Sequence, residues 1–425
     1  METISISGFG GFKEAKFETA PIMVLIGEQA TGKSIVAKLL YFFRGIAPRI
    51  PSLASSGDTD KAKKEAICKE FYALFSPIDL GLGGFKISYE CNGQFVRILH
   101  ADGVAEGIFH PVQFEWSAFY TEAATKWSRH LSEVKVSGET YEEGFYLLRT
   151  EFLKAAQNSL GRFGTSEQIF VPAGRESFAR MVQNIFSMLD ANKGDMRSSF
   201  DPILGKFFAN MEYYKQHFES LGFFDARATT RGPLPDVRQR VENILKAQFK
   251  HEDNQDYLVH EDSRRVLLAD SSSGQQAALP LLLTLGRVFS GGERERDIYF
   301  EEPEAHLFPN SQRQIVELLA AAFNAKPESV RFLITTHSPY ILSTIDNLLE
   351  AGRRYRDASP EAAAKLKKIV PPVCALRPGD VAAYTLEAGQ ARLIIDRETE
   401  LIESDIIDKV SVDLDKDFDR LLWET

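Results

Sequence analysis

The sequence has few cysteines, no excess of positive charge and no long apolar run. Its three cysteines, Cys68, Cys91 and Cys374, are far apart and form no CxxC pair, so neither a zinc site nor a disulfide framework is indicated. The longest apolar run, around AALPLLLTLG, has about ten residues, whereas a membrane-spanning helix needs about 20. The net charge of −10 argues against a protein that coats nucleic acid through bulk charge.

A targeting signal is also missing. The first residues, METISISGFGGFKEAKF, lack a basic start followed by a long apolar stretch and so do not read as a secretory signal. Scattered thiols suit a reducing compartment. We therefore expect a cytoplasmic protein that does not associate with membranes. A chain of 425 residues with 44% hydrophobic residues can bury a substantial core, and its length indicates about two to three domains.

The clearest positive signal is a phosphate-binding loop. Ile22–Ile26 is apolar throughout, as expected for a buried parallel strand. The segment after it, GEQATGKS, matches GxxxxGK[ST] and precedes a predicted helix. Its glycines let backbone N–H groups turn toward phosphate oxygens, Lys33 supplies a cation, and Ser34 offers a hydroxyl to Mg²⁺. The predicted ATP-binding residues are Gly27, Glu28, Gln29, Ala30, Thr31, Gly32, Lys33 and Ser34.

Acidic residues follow a second apolar segment. Ile298–Phe300 is a predicted strand, and Glu301 and Glu302 stand at its carboxyl end. Ligands of an open α/β sheet bind at the carboxyl ends of its strands. We assign Glu301 to the metal ion and its water shell. Glu302, one residue further on, is the predicted catalytic residue that polarises the attacking water.

A histidine follows a third predicted strand. Phe332–Thr335 is apolar, and His337 comes shortly after it. A lone histidine is more often structural than functional. Beside a phosphate-binding strand and an acidic strand, however, His337 is suited to contact a γ-phosphate. We therefore give it a catalytic role together with Glu302 and Lys33.

These motifs as a set resemble a known family. GEQATGKS, SSSGQQ, YFEEPEAHLFP and LITTHSP resemble an ATP-binding-cassette (ABC) ATPase of the bacterial group related to the OLD, RecF and SMC proteins. The tail, from LRPGDVAAYTLEAG to FDRLLWET, also resembles stand-alone AAA family ATPases of that group, which serve defence operons. The resemblance implies an α/β fold: an ABC-ATPase head of the P-loop NTPase type, with a mostly parallel sheet and an antiparallel β lobe. We expect no Toprim nuclease domain among the 88 residues after His337, since the final helix of the head takes up part of them.

Two serine- and glycine-containing segments compete for the role of the ABC signature. Ser290–Glu293 leaves too few residues before Glu301 for the helix, turn and strand that an ABC head requires. Ser271–Gln275 leaves room for a helix over QQAALPLLLTLGRVF. We therefore assign the signature to the earlier segment and interpret the later one as a polar turn. The candidate nucleotide-binding residues of the signature are Ser272, Ser273, Gly274 and Gln275.

The resemblance also implies a pair of heads. In this family the signature caps the γ-phosphate held by a partner subunit, so two heads face each other head to tail with two ATP molecules between them. Ser272 and Gly274 would donate across that interface, and His306 would lie near its centre. Hydrogen bonds to a charged group contribute roughly 1.5–3 kcal/mol each. With two or three such hydrogen bonds at each of two sites, their total contribution exceeds the ~5.5 kcal/mol needed to switch a two-state population.

The remaining sequence suggests how the chain is divided. We expect an ATPase lobe with antiparallel strands over 1–119, a mostly helical insertion over 120–257, the signature, acidic strand and histidine over 258–350, and a small α+β appendage over 351–425. An Asn-Gly pair at 92–93 predicts a hairpin turn. No heptad pattern lasts three or four repeats in the helical part, so a long SMC-like arm is not expected.

Two further segments leave alternatives open. QIFVPAGRESF interrupts the helical pattern and resembles a segment of this ATPase group near the place where other ABC heads carry a Mg²⁺-sensing glutamine. Gln168 and Arg175 are candidates for nucleotide or metal contact, Gln113 is a weaker one, and an ordinary strand-to-helix turn is the alternative. The acidic tail carries alternating aspartates that we interpret as the solvated start of a helix rather than a metal site: Asp413, Asp415 and Asp417.

The sequence thus predicts an ATP hydrolase that requires ATP and Mg²⁺ and switches conformation by forming a homodimer or higher oligomer. The family resemblance implies control of a partner effector, such as a nuclease encoded nearby, in anti-phage defence. The alternative is a RecF-like ATPase that binds DNA in maintenance or repair, against which the acidic net charge counts. The EEPE segment argues against the nucleotide-binding subunit of a transporter. A scaffold without turnover disagrees with the presence of Lys33, Ser34 and Glu302.

Overall fold

The structure is a computed structural model that describes most of the chain. The described residues are 1–55, 60–75, 83–100, 112–137, 141–178, 201–218, 237–290, 292, 294–396 and 398–403. The three alternating aspartates of the tail lie outside these ranges.

The secondary structure of the described residues alternates between strands and helices. The strands are β1 (Glu2–Ser7), β2 (Glu14–Glu18), β3 (Ile22–Ile26), β4 (Phe85–Cys91), β5 (Gln94–His100), β6 (Gln113–Trp116), β7 (Glu167–Val171), β8 (Gln248–Glu252), β9 (Gln255–Val259), β10 (Arg265–Leu267), β11 (Arg296–Glu301), β12 (Val330–Thr336), β13 (Val381–Glu387) and β14 (Gln390–Leu393). The helices are α1 (Lys33–Arg44), α2 (Ile46–Ser55), α3 (Asp60–Leu74), α4 (Ala118–Ser137), α5 (Tyr141–Leu160), α6 (Pro202–Gln216), α7 (Val237–Leu245), α8 (Ser273–Ser290), α9 (Pro309–Ala325), α10 (Pro339–Arg356) and α11 (Pro360–Leu366).

A six-stranded sheet forms the centre of the molecule, with the order β14-β13-β3-β12-β11-β7. All its neighbouring strands are parallel except the β13–β14 pair. Parallel strands that are covered on both faces read as continuous apolar runs, and every residue of β3 is buried. Because the strands are parallel, the carboxyl ends of β3, β12 and β11 lie side by side at one edge of the sheet.

The two faces of this sheet contribute to two hydrophobic cores. Ile22 and Val24 of β3 pack in a core with residues of α8, α9 and α10. Met23 and Leu25 point the other way and pack in a second core with α1 and the antiparallel strands. This alternation follows from the two-residue period of a strand. The predicted α/β fold with a mostly parallel sheet is confirmed.

The antiparallel lobe is a five-stranded sheet with the order β2-β1-β4-β5-β6. The hairpin between β4 and β5 turns at Asn92 and Gly93, whose φ angles of 48° and 78° are the positive values that an Asn-Gly turn provides. A separate three-stranded sheet has the order β10-β9-β8. Among the described residues, no helix has the length and apolar character needed to cross a bilayer.

Two expected boundaries do not coincide with breaks in the central sheet. Strand β7 falls within the expected helical insertion over 120–257, yet it pairs with β11 as an edge strand of that sheet. Strand β13 falls within the expected appendage over 351–425, yet it pairs in parallel with β3 and lies inside the sheet. The pairing partners of both strands are distant in the chain, so local pattern did not reveal their place. The central sheet therefore takes strands from all four of the expected regions.

A buried network of charges joins the two large sheets at the amino ends of β11 and β12. Arg44 donates to both oxygens of Glu2, at 2.8 and 2.9 Å, and lies 3.2 Å from Asp297. Arg331 donates to Glu2 at 2.9 Å and to Asp297 at 2.7 and 3.0 Å. Burial alone would raise the pKa of both carboxyl groups, but Arg331 and Arg44 outweigh it, and each pKa falls below its ordinary value.

Candidate active site

The GEQATGKS segment forms the loop between β3 and α1, as predicted. Gly32, the residue before α1, has a φ of 97°, and a Cβ there would lie 2.5 Å from the ring of Phe12. A Cβ on Gly27 would lie 2.6 Å from the carbonyl oxygen of Leu386 in β13. Both positions therefore require glycine because neighbouring atoms leave no room for a side chain.

The middle of this loop faces solvent. Glu28, Gln29 and Ala30 are exposed, as is Ser34 in the first turn of α1. The hydroxyl of Thr31 donates to the carbonyl oxygen of Glu28 at 2.9 Å and so braces the loop from within. The exposed backbone at the start of a helix is the arrangement that accepts an anion.

Lys33 lies over the loop, and its side chain is largely enclosed. Its Nζ donates to the carbonyl oxygens of Gly27 at 2.9 Å and Glu28 at 2.7 Å. It also lies 3.4 Å from Nδ1 of His337. Burial lowers the pKa of Lys33. Because both carbonyls belong to the loop itself, the ammonium is held at the place where phosphate oxygens would compete for it.

Glu301 ends β11 beside the loop. Its Oε2 accepts a hydrogen bond of 3.3 Å from the backbone N–H of Ala173, and the hydroxyl of Ser34 interacts favourably with the carboxyl group. Burial raises the pKa of Glu301. Its Oε1 is buried and has no hydrogen-bond partner among the described residues. An unpaired carboxylate oxygen next to a hydroxyl is a donor set that fits Mg²⁺.

Glu302 and His337, the two residues given catalytic roles from the sequence, are in contact. Nε2 of His337 lies 3.2 Å from Oε1 of Glu302, while Nδ1 faces Lys33. A lysine ammonium can only donate, so Nδ1 accepts and Nε2 carries the proton that points at Glu302. His337 thus bridges the predicted phosphate cation and the predicted water-activating carboxylate. Glu302 itself has a φ of 44°, in the left-handed region that non-glycine residues seldom adopt.

Glu304 is a site residue that sequence reasoning missed. Its Oε1 accepts hydrogen bonds of 2.7 Å from the hydroxyl of Thr336 and from the backbone N–H of His337. Its Oε2 is buried and unpaired within the described part of the chain. Glu304 therefore ties the turn after β11 to the end of β12. The available signal was its place in the EEPE segment, two residues after Glu302.

The proposed signature segment begins α8. Ser272 and Ser273 are exposed, and a Cβ on Gly274 would lie 2.7 Å from the carbonyl oxygen of His306. The side-chain oxygen of Gln275 accepts from the N–H and the hydroxyl of Ser272, and its amide donates to the carbonyl of Leu245. Gln275 thus shapes its own turn and occupies both donors of Ser272, although Ser272 and Ser273 remain exposed to solvent.

The later of the two competing segments, Ser290–Glu293, was interpreted as a polar turn, but its first residue is part of a helix. Helix α8 continues to Ser290, so this serine belongs to the helix that the earlier segment starts. Gly291 and Glu293 lie outside the described residues. The predicted helix between the signature and β11 is therefore observed, and it agrees with the choice of the earlier segment.

Arg175 does not lie among the open nucleotide-binding residues. It is 1% exposed, and its guanidinium donates to the carbonyl oxygens of Ala277, Glu301 and Glu302 at 2.8, 2.8 and 2.9 Å. Two carbonyls of its own loop accept weaker bonds. Backbone acceptors enclose this side chain, which does not favour the direct nucleotide contact that the sequence suggested.

The two glutamine candidates are also elsewhere. Gln168 is buried in β7, where it donates to Asp297 and accepts from the hydroxyl of Tyr299, so it belongs to the charge network at the amino ends of the strands. Gln113 lies in β6 of the antiparallel sheet. Next to Glu301, the β7 loop instead presents the backbone N–H of Ala173.

Comparison with known proteins agrees with this chemistry. Residues 165–342 match the family model of the AAA ATPase domain, and this range includes Arg175, the signature, the EEPE segment and His337. The predicted enzyme class, an ATPase, is confirmed at this level. No curated protein matches the sequence significantly.

Solved structures with a similar course of the chain include an SMC head bound to the C-terminal winged-helix domain of ScpA, with 11% identity, coverage of 93% of this chain and 98% of that chain, and a TM-score of 0.41. An SMC head from Pyrococcus furiosus, bound to the C-terminal domain of ScpA, has 12% identity, coverage of 93% and 96%, and a TM-score of 0.38. A RecF structure with an ATP analogue has 11% identity, coverage of 92% and 97%, and a TM-score of 0.31. At these scores the likenesses carry no conclusion about function.

Proposed function

We propose that the protein is a Mg²⁺-dependent ABC-type ATP hydrolase that works as a conformational switch between separate and paired subunits. The observation that carries this proposal is the Lys33–His337–Glu302 contact at the carboxyl ends of three adjacent parallel strands, β3, β12 and β11, beside a GxxxxGK[ST] loop. Three segments that are distant in the chain supply a cation, a bridging imidazole and a carboxylate to one place.

Each residue has a defined part in this proposal. Lys33 exchanges its two loop carbonyls for phosphate oxygens when ATP binds, while Ser34 and Glu301 hold the metal ion. Mg²⁺, when bound, neutralises charge that develops on the phosphates. Glu302 orients the attacking water and accepts its proton, and His337 keeps that carboxylate directed at the phosphate site.

The pairing of subunits has support from the surface of the same edge. Ser272 and Ser273 are exposed at the start of α8. Phe308 and Tyr340, at the starts of α9 and α10, follow the EEPE turn and His337, and they are 78% and 53% exposed. Exposed aromatic side chains are favoured anchors of protein interfaces. We infer that a second copy covers this edge and supplies its own serines to the nucleotide.

The switch serves, in our proposal, to control a separate protein effector in anti-phage defence. The support is the resemblance of the four motifs to those of a group of ATPases. Members of that group hold or release a toxic nuclease. A RecF-like role makes a different prediction: tight DNA binding whose affinity falls steeply with salt. A filter-binding titration of duplex DNA at two salt concentrations separates the two roles.

The central experiment compares Lys33→Ala with Glu302→Gln. Lys33→Ala is expected to lose ATP binding, because the phosphates lose their cation. Glu302→Gln is expected to keep ATP affinity while turnover falls roughly 10²–10⁴-fold, the usual share of a general base. Analytical ultracentrifugation with ATP should then show a stable dimer. Lys16→Ala and Glu18→Gln, exposed residues of β2, serve as matched controls.

Two outcomes contradict the proposal. Normal hydrolysis by Glu302→Gln would remove Glu302 from the chemistry. A monomer in saturating ATP, for both wild type and Glu302→Gln, would show that the site does not need a second subunit.

A further inference from the structure

Arg175 joins three parts of the molecule through one side chain. It lies in the short turn after β7, and its N–H groups reach the first turns of α8 through Ala277 and the end of β11 through Glu301 and Glu302. The planar guanidinium presents up to five donors in a fixed fork, which a single flexible ammonium cannot reproduce.

The contacts of Arg175 are with backbone oxygens rather than with carboxylate groups. Burial lowers the pKa of Arg175 to about 10, so the side chain is cationic at neutral pH. A charged donor forms stronger hydrogen bonds than a neutral one, and a buried charge with satisfied donors is costly to displace. A movement of any one of the three carbonyls is therefore expected to displace the guanidinium and to alter its hydrogen bonds to the other two.

The backbone of Glu302 depends on such support. Its φ of 44° is strained for a residue with a side chain. Its N–H donates to the carbonyl of Thr335 at 2.8 Å, and its own carbonyl accepts from Arg175 at 2.9 Å. These two bonds hold the peptide groups on either side of the residue, and hence the direction in which its carboxylate leaves the backbone toward His337.

The signature end is connected to the same turn by a second contact. The backbone at Gly274 approaches the carbonyl of His306 so closely that a Cβ would lie 2.7 Å from it. His306 itself has a φ of 62°. The first turn of α8 is thus braced against the segment after Glu302 on one side and against Arg175 on the other.

We propose that Arg175 is a positioning residue that transmits engagement of the signature turn to the catalytic carboxylate of the same subunit. The inference rests on the proposed function. When Ser272 and Ser273 engage a nucleotide held by the partner, the start of α8 shifts, Arg175 follows the Ala277 carbonyl, and the Glu302 peptide is aligned. Each subunit then hydrolyses its own ATP only when its signature contacts the nucleotide of the partner. The two sites of a pair therefore hydrolyse ATP together.

The test uses Arg175→Lys in the full-length chain, with Arg296→Lys as the matched control. Arg296 is equally buried and lies at the opposite end of the strand that carries Glu301. We expect Arg175→Lys to bind ATP with unchanged affinity and KM while kcat falls roughly 10–100-fold, since a displacement of about 1 Å can cost about 10²-fold. Arg296→Lys should lower stability and leave the kcat of the folded protein unchanged.

A double-mutant cycle with Ser272→Ala separates coupling from a merely structural role. If Arg175 transmits the signature contact, the double variant is no slower than the slower single variant. Independent roles would instead multiply the two losses. Multiplied losses, or a wild-type kcat in Arg175→Lys, would overturn the inference while leaving the proposed ATPase intact. A failure of Lys33→Ala to affect ATP binding would overturn the proposed function itself.

A measurement on the unaltered chain keeps the inference testable should the lysine variant not fold. Hydrogen exchange followed by mass spectrometry is recorded with and without a slowly hydrolysed ATP analogue. Peptides over 271–279 and 300–306 should gain protection together at the same analogue concentration, and Lys33→Ala should abolish both gains. Protection of one segment without the other contradicts the coupling.

Discussion

The two ends of β11 and β12 use the same kinds of side chains for opposite purposes. At the amino ends, the buried carboxyl groups of Glu2 and Asp297 are paired with arginines and accept further hydrogen bonds from neighbouring side chains, and their pKa values fall. At the carboxyl ends, Glu301 and Glu304 each keep one buried oxygen without a partner in the described part of the chain, and burial raises the pKa of Glu301.

This difference separates stability from function within one sheet. A carboxylate whose pKa falls on folding stabilises the folded state, whereas a carboxylate whose pKa rises is tolerated at a cost. Such a cost is commonly found at functional sites. Among the carboxyl groups at the two ends of β11 and β12, an unpaired oxygen therefore distinguishes the edge that carries the candidate catalytic residues, whereas the presence of charge alone does not.

Removing one arginine of the network should have the largest effect on stability. Arg331→Ala leaves Glu2 and Asp297 buried with only part of their compensation, and loss of one partner of a buried pair costs about 3–5 kcal/mol. Urea unfolding measures this change. Arg354→Ala, in an exposed pair with Glu350, should change the free energy of unfolding by less than about 1 kcal/mol. Equal changes in the free energy of unfolding for the two variants would contradict the prediction that the buried network contributes more than an exposed ion pair.

Acid should destabilise the protein through the same network. The pKa values of Glu2 and Asp297 are lower in the folded state than their ordinary values of 4.5 and 3.8. Their contribution is therefore present above about pH 4.5 and is lost as the pH falls toward the folded-state values. A series of thermal melts from pH 7 to pH 3 should show the loss, and Glu2→Gln should flatten it. A Tm that does not depend on pH over this range would contradict the assignment.

Glu304→Ala should slow ATP turnover without preventing ATP binding. The substitution removes the acceptor that holds the backbone N–H of His337, and hydrogen bonds to a charged group contribute about 1.5–3 kcal/mol, or roughly 10–100-fold in kcat. Steady-state kinetics measure the change. Glu304→Gln keeps an oxygen acceptor and should restore most of the activity, so an equally slow glutamine variant would point to the charge instead of the positioning.

Glu301→Gln should have a small effect on stability, in the opposite direction. Burial penalises the charged form of Glu301, so a neutral amide is expected to raise the free energy of unfolding by about 1 kcal/mol. Mg²⁺-dependent turnover should fall at the same time, because the metal loses its carboxylate. Melting curves and an assay over a range of Mg²⁺ concentrations test both parts, and a less stable variant would contradict the comparison.

Local sequence pattern was sufficient for features that depend on neighbouring residues. The loop before α1, the acidic end of β11 and the position of His337 each follow from an apolar strand and the residues immediately after it. The Asn-Gly turn between β4 and β5 is equally local.

The features that the sequence did not reveal depend on contacts between distant segments. Arg175 reads as a polar loop residue, and only the approach of α8 and β11 shows that backbone carbonyls surround it. Gln168 seemed suited to a metal, but its strand places it at the amino end, beside Asp297. Strand β13 joins β3 across most of the chain, a pairing that no period of apolar residues encodes.

The close approach of Leu386 to Gly27 has a consequence for synthesis of the chain. The GEQATGKS loop is translated long before β13, the strand that packs against its first glycine. On the ribosome, Gly27 has no such neighbour until β13 has emerged. The candidate nucleotide site is therefore completed only after β13 has been made, and products truncated before β13 carry the loop sequence without the strand that packs against it.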